Sequence, residues 1–236
     1  MTGASSGIGA AVTRALAAEG ARLTIGARRV ERLEQLAEEI GVDRVTVVKT
    51  DMRVEEDVVR LIAAARDRFG GVDALVNNAG LGRRAPVSSA PTALWREMLE
   101  TNVLGLLIAT REAVQDMERR GVAGHVVNVS SMAGHRVPGP DGGVYAGTKF
   151  AVRAITEGLR QELRARQSPI RVAIVSPGYV DTEFAGVFVG PGGTVQPRGV
   201  KELGADDVAR TIVWLLSQPP HVEVHDVLVR PTAQRH

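Results

Sequence analysis

Tyr145 and Lys149, four residues apart, are the pair in this chain whose types and spacing most directly suggest chemistry. On a helix that spacing stacks one side chain above the other. An ammonium beside a phenol favours the phenolate, and would lower a tyrosine pKa from its ordinary value near ~10. A tyrosine tuned in this way can exchange a proton with an alcohol or carbonyl oxygen near neutral pH. Ser131 follows Val126–Val129, a run that reads as a strand. Open α/β sheets bind ligands beyond the carboxyl ends of their strands, so the Ser131 hydroxyl is placed to polarise the same oxygen. A tyrosine and lysine at this spacing also occur on ordinary exposed helices, and Ser130-Ser131 would suit a plain turn. Lysine, however, occurs only at positions 49, 149 and 201, every other basic residue being arginine. In such a chain Lys149 marks a need for a compact ammonium.

A second group lies at the amino end. Thr2-Gly3-Ala4-Ser5-Ser6-Gly7-Ile8-Gly9 places glycines at 3, 7 and 9 and opens directly into a helical pattern. Glycines let backbone N–H groups approach a pyrophosphate, and a helix amino terminus adds partial positive charge. The stretch Gly3, Ser5, Ser6, Gly7, Ile8 and Gly9 is thus a candidate dinucleotide cradle. About 20 residues beyond such glycines, an NAD-selective site carries a carboxylate for the ribose 2′-hydroxyl. This chain has Gly26-Ala27-Arg28-Arg29 there, with no acid before Glu31. Two guanidiniums suit a 2′-phosphate, with Ser5 as a further donor, so NADP(H) is the expected cofactor. The plainer alternative for one of the pair is a solvated residue in the first turn of the next helix.

Short apolar strands alternating with helices must position both groups. Strands are expected at Arg22–Gly26, Val45–Lys49, Ala74–Val76, His125–Val129, Arg171–Val175 and Val227–Val229. Helices are expected at Ala10–Glu19, Val30–Ile40, Glu55–Phe69, Thr92–Arg119, Tyr145–Arg166 and Ala205–Leu216. This order predicts an α/β fold, a doubly wound parallel sheet of Rossmann type covered on both faces. A length of 236 residues with 44% apolar residues fits a single domain over 1–236, dinucleotide-binding and catalytic together. The longest stretch without periodicity, about 184–204, is the expected substrate loop.

The residues so far resemble the short-chain dehydrogenase/reductase family over nearly the whole chain. The likeness rests on the glycine motif, Asn77-Asn78-Ala79-Gly80, Asn102, Ser131, Tyr145 with Lys149, and Pro177-Gly178 followed by Thr182. It implies a catalytic set of Asn102, Ser131, Tyr145 and Lys149. In that set Tyr145 is the general acid/base, Ser131 orients the substrate oxygen, Lys149 tunes the tyrosine and holds the nicotinamide ribose, and Asn102 holds a proton-relaying water through its helix. The resemblance further implies that Asp51 and Met52 meet the adenine. Asn78, Ala79 and Gly80 would line the dinucleotide cleft, with Asn78 also bonding neighbouring strands. Val180 and Thr182, after Pro177 and Gly178, would hold the carboxamide. The implied activity is hydride transfer between NADP(H) and a ketone, aldehyde or hydroxy acid, by a homodimer or homotetramer. Gly134–Val137, Glu157–Leu163 and Val229–Thr232 resemble two branches, one of carbonyl and 3-ketosteroid reductases and one of bacterial 3-hydroxy-acid and clavulanate-type dehydrogenases. A non-catalytic NADP(H) sensor or scaffold of the same fold is the competing reading; such proteins lose the tyrosine or lysine retained here.

One departure from the family pattern stands out. The apolar strand that precedes the Thr-Gly is missing, because Met1 stands immediately before Thr2. The expectation is an upstream segment of roughly six to ten residues, without which the strands near residues 22–26 and 74–76 have unpaired edges. Other features speak against further classes. A balance of 29 basic against 27 acidic residues gives no nucleic-acid footprint, and the absence of cysteine excludes disulfides and thiolate metal sites. His221 and His225 share i, i+4 spacing without acidic or thiol neighbours, and no metal is expected. No apolar run spans a membrane and no signal segment is visible, which makes a cytoplasmic protein the default expectation.

Overall fold

A computed structural model describes residues 1–190, 192–195 and 198–234. Its elements are α1 (Gly7–Ala18), β1 (Leu23–Ala27), α2 (Val30–Ile40), β2 (Val45–Lys49), α3 (Glu55–Phe69), β3 (Ala74–Asn77), α4 (Thr92–Leu99), α5 (Gly105–Arg120), β4 (His125–Val129), α6 (Gly143–Ala165), β5 (Arg171–Pro177), α7 (Phe184–Val189), α8 (Ala205–Leu216) and β6 (Asp226–Val229). All strand pairings are parallel, β1 with β2 and then β3-β4-β5-β6 in order. The expected α/β doubly wound architecture is therefore present.

Alternate residues of each central strand enter different cores, which is why these strands read as unbroken apolar runs. Leu75, Val126 and Val172 face α3 and α5, against Val58, Ile62, Ile108, Ala109 and Met117. Their neighbours Val76, Val127 and Ala173 face α1 and α8, against Val12, Val208 and Ile212. Helix α3 shows how local sequence sets an element's limits. Three acids, Glu55, Glu56 and Asp57, occupy its first turn and Arg66 and Arg68 its last, complementing the dipole. Gly70 then ends it with a left-handed φ of 86°.

Strands β1 and β3, expected to flank a preceding strand, do face one another, with Met1 and Thr2 between them. The Gly26 N–H donates to Met1 O (3.0 Å), and the Thr2 N–H donates to Val76 O (3.1 Å). The Met1 amino group donates to Thr24 O at 2.9 Å.

Two expectations need correction. The stretch 184–204 is not loop throughout, because Phe184–Val189 forms α7, a helix too short to show a period; Pro191 and Pro197 lie outside the described residues. The single helix expected over Thr92–Arg119 is interrupted by a π-type turn at Glu100–Leu104. Trp214, read as a packing residue, is 51% exposed on α8. Among the described residues no helix is long and apolar enough to cross a membrane.

Candidate active site

The carboxyl ends of β1, β3, β4 and β5 open into one cleft of about 620 Å³. It brings together most of the residues singled out above. Gly3, Ser5, Ser6, Gly7 and Ile8 line it, with Arg28, Arg29, Asp51, Met52, Asn78, Ala79 and Gly80. So do Ser131, Tyr145, Lys149, Pro177, Gly178, Val180 and Thr182. Gly9 and Asn102 stand behind this lining and act by what they hold in place.

The glycine turn is built for close approach. Gly3 has a φ of 66°, and a Cβ there would lie 2.7 Å from Ala79 Cα. A Cβ on Gly9 would overlap Gly3 O and stand 2.7 Å from Asn78 Nδ2. Asn78 fixes this turn to the end of β3, its amide donating to Thr2 O (3.2 Å) and Gly3 O (3.1 Å). In return Thr2 Oγ1 accepts the N–H groups of Asn78 and Ala79, both at 3.0 Å. The Asn78 side chain is thus committed to structure, and its backbone is what faces the cleft. Thr182 is packed beside Gly7, whose Cβ would meet Thr182 Cγ2 at 3.1 Å.

Arg29 leaves the first turn of α2 and turns back over the cradle. Its guanidinium donates to Ser5 Oγ (3.3 and 3.2 Å) and Ser6 Oγ (2.6 Å), and pairs with Glu183 at 2.8 Å. Arg28, exposed at the rim, forms no hydrogen bond or ion pair among the described residues. Asp51 is held by Arg53 at 2.6 Å, and that side-chain hydrogen bond keeps its carboxyl below the ordinary value. These cations, the close-approach glycines and the amino end of α1 fit a phosphorylated dinucleotide.

At the other end, Ser131 begins a short 3-10 turn and accepts the Ala133 N–H at 3.0 Å. Tyr145 and Lys149 lie on α6, only 7% and 5% exposed. Asn102, carried by the π-type turn, grips Leu81 at both backbone groups. Its Oδ1 accepts the Leu81 N–H (2.9 Å), and its Nδ2 donates to Leu81 O (2.7 Å) and Thr148 Oγ1 (3.0 Å). Gly80 allows Asn102 and Lys149 to draw close, since a Cβ there would meet Asn102 Oδ1 and Lys149 Nζ, each at 3.4 Å. Helix α7 supplies an aromatic wall, with the Phe184 and Phe188 ring centroids 5.5 Å and 5.8 Å from that of Tyr145.

The expected tuning of Tyr145 by Lys149 is overturned in direction. Burial pushes the phenol up to about 12, only partly opposed by a hydrogen bond from Ser131. Burial likewise pushes the Lys149 amine down to about 8. The reason is geometric. Lys149 Nζ is turned to Val129 O at 3.0 Å and lies 6.0 Å from the Tyr145 ring centroid, so desolvation outweighs charge.

Sequence reasoning missed the α7 aromatics, Arg32 and Glu183. Arg32 pairs with Glu183 at 2.5 Å from a position one helical turn beyond Arg29. Such pairs, separated by about 150 residues, leave no local signal. His225, considered above for a metal, bonds Val172 O and Glu157 instead.

Comparison with known proteins agrees with this geometry. A family model described as short chain dehydrogenase matches residues 1–188. Dehydrogenase/reductase SDR family member 11 of Bos taurus is 44% identical over 243 residues, covering 99% of this chain and 95% of that protein. Among solved structures, the closed form of a serine dehydrogenase complexed with NADP+ superposes with a TM-score of 0.92 at 32% identity, covering 100% of this chain and 95% of that one. A 3-ketoacyl-(acyl-carrier-protein) reductase from Brucella melitensis, complexed with NADH, gives 0.84 at 30% identity over 97% of this chain and 94% of that one.

Proposed function

Because the chain belongs to the short-chain dehydrogenase/reductase family, and so is an oxidoreductase of alcohol and carbonyl groups using a nicotinamide cofactor, we propose that it prefers NADP(H) and uses Tyr145 as its general acid/base. The observation that carries this reading is the shared cleft, lined by Ser131, Tyr145 and Lys149 at one end and by Gly3–Ile8 with Arg28 and Arg29 at the other. The NADP+ bound by the serine dehydrogenase supports the cofactor half.

When bound, the cofactor supplies or takes up hydride at its nicotinamide. The chain's own groups handle the oxygen. Ser131 and Tyr145 take the substrate oxygen between two hydroxyl donors, which polarises a carbonyl toward attack. A phenol at about 12 is protonated at neutral pH and is a far stronger acid than an alcohol. In reduction it therefore gives its proton to the oxygen as negative charge develops there. In oxidation the phenolate takes that proton back. Lys149, at about 8, exchanges protons near neutral pH and would stabilise the phenolate and hold the ribose. Val180 and Thr182 would hold the carboxamide, and Asp51 with Met52 the adenine. The substrate is a ketone, aldehyde or hydroxy acid whose group next to the reacting carbon packs on Phe184 and Phe188.

Tyr145→Phe tests this directly. It removes one oxygen and little contact area, so NADPH binding should persist while turnover falls by ~10²–10⁴-fold. Turnover at the wild-type level, measured on a carbonyl panel, would refute the assignment.

A further inference from the structure

Glu183 connects the two ends of the cleft. Its carboxylate is shared between two guanidiniums, with Oε2 on Arg29 at 2.8 Å and Oε1 on Arg32 at 2.5 Å. Glu183 immediately precedes α7, so it anchors the helix that carries Phe184 and Phe188 against Tyr145. Arg29 is at the same time the guanidinium that meets Ser5 and Ser6 on the glycine turn. One carboxylate therefore occupies the arginine best placed for a phosphate at the adenosine ribose. All three side chains are about half exposed, so the pairing is exchangeable.

We infer that Glu183 is a selectivity residue for the nucleotide, contending with a 2′-phosphate for Arg29, while Arg32 retains the carboxylate when Arg29 is given up. The inference rests on the reading of Arg28 and Arg29 as the 2′-phosphate site. A phosphate dianion beside Ser5 and Ser6 needs the Arg29 donors that Glu183 now uses, and it stands near a like charge. Without Arg32, giving up Arg29 would leave the carboxylate unpaired and α7 without its anchor. With Arg32 holding the second oxygen, the exchange costs one bond and leaves α7 in place. Paired with both arginines, the Glu183 carboxyl is held down to about 2, so it stays an anion through the working pH range.

The test is calorimetric titration of the intact protein with adenosine 2′,5′-bisphosphate, using adenosine 5′-monophosphate as the probe that lacks the 2′-phosphate. Glu183→Gln should tighten the bisphosphate about two- to tenfold, the effect of removing one nearby exposed charge, and leave the monophosphate within about twofold. Arg32→Gln should weaken the bisphosphate, and that loss should largely vanish in the Arg32→Gln/Glu183→Gln double variant, because Arg32 acts through Glu183. If the wild-type protein shows no preference for the bisphosphate, the cofactor reading itself fails and this inference with it. If that preference exists but Glu183→Gln leaves it unchanged or reduces it, the role of Glu183 is overturned and the cofactor reading stands. Equal losses from Arg32→Gln in both backgrounds would overturn the exchange.

Discussion

Replacing His125 by leucine should remove a pH dependence of stability that begins just below neutrality. His125 starts β4 at 3% exposure, and neither of its ring nitrogens has a hydrogen-bond partner among the described residues. Burial, reinforced by the Arg171 charge, pushes its pKa from 6.5 down to about 4. The unfolded chain therefore binds more protons than the folded one between those values, and stability falls as the pH is lowered through that window. Linkage makes the loss about 2 kcal/mol by pH 5 and about 3 kcal/mol near pH 4. His135 and the Met1 amino group are also shifted down by burial. The informative quantity is therefore the difference between the two proteins. Urea unfolding at pH 7, 6 and 5 should give a free-energy gap that moves by about 2 kcal/mol in favour of the leucine variant. At pH 7 the substitution itself should cost little, since it replaces an unpartnered polar ring by an apolar group. A gap that stays constant from pH 7 to pH 5 would refute the reasoning. It would mean that His125 is protonated in the folded protein or is not enclosed as described.

Neutral replacements at both Arg28 and Arg29 should raise the Michaelis constant for NADPH much more than that for NADH; a wild-type protein that uses NADH better would refute the 2′-phosphate reading. Gly9→Ala should abolish nucleotide binding or folding, because its Cβ overlaps Gly3 O, and calorimetry beside a melting curve would tell the two apart. Exposed Leu104 and Leu107 on α5 and Phe150 on α6 favour a homodimer or homotetramer, and light scattering at micromolar concentration should give a multiple of the 25.1 kDa chain.

The alternation of strands and helices was legible because each strand of the sheet centre is apolar on both sides and each helix has a clear apolar stripe. The motifs were legible because the backbone needs glycine at Gly3 and Gly9, and because Tyr145 and Lys149 are close in sequence. What stayed hidden depends on distance in the fold. Arg29 could be read as a phosphate ligand, but its pairing with Glu183 joins residues 154 apart. Helix α7 is six residues long and leaves no period to detect. The direction of the Tyr145 shift depends on how deeply the phenol is buried and where Lys149 turns, and neither follows from i, i+4 spacing. The turn carrying Asn102 sits inside an uninterrupted helical pattern, where one additional residue per turn leaves no mark of its own.

That additional residue has a consequence for any change of length in this part of the chain. A π-type turn advances the sequence by one position relative to an α-helix, rotating everything after it by about 100° around the axis. Before the turn, Met98 points to the cleft wall, among Leu81, Ala85 and Tyr145. After it, Ile108, Ala109 and Ala113 point to the sheet. The rod thus presents two apolar stripes that are out of phase, each correct for its own neighbour. Deleting a single residue between Glu100 and Leu104 would bring the stripes into phase and produce a more regular helix. It would also turn one of them away from its partner. Here regularity and function are opposed, and a length change that local helix propensity would welcome should damage the cleft or the core.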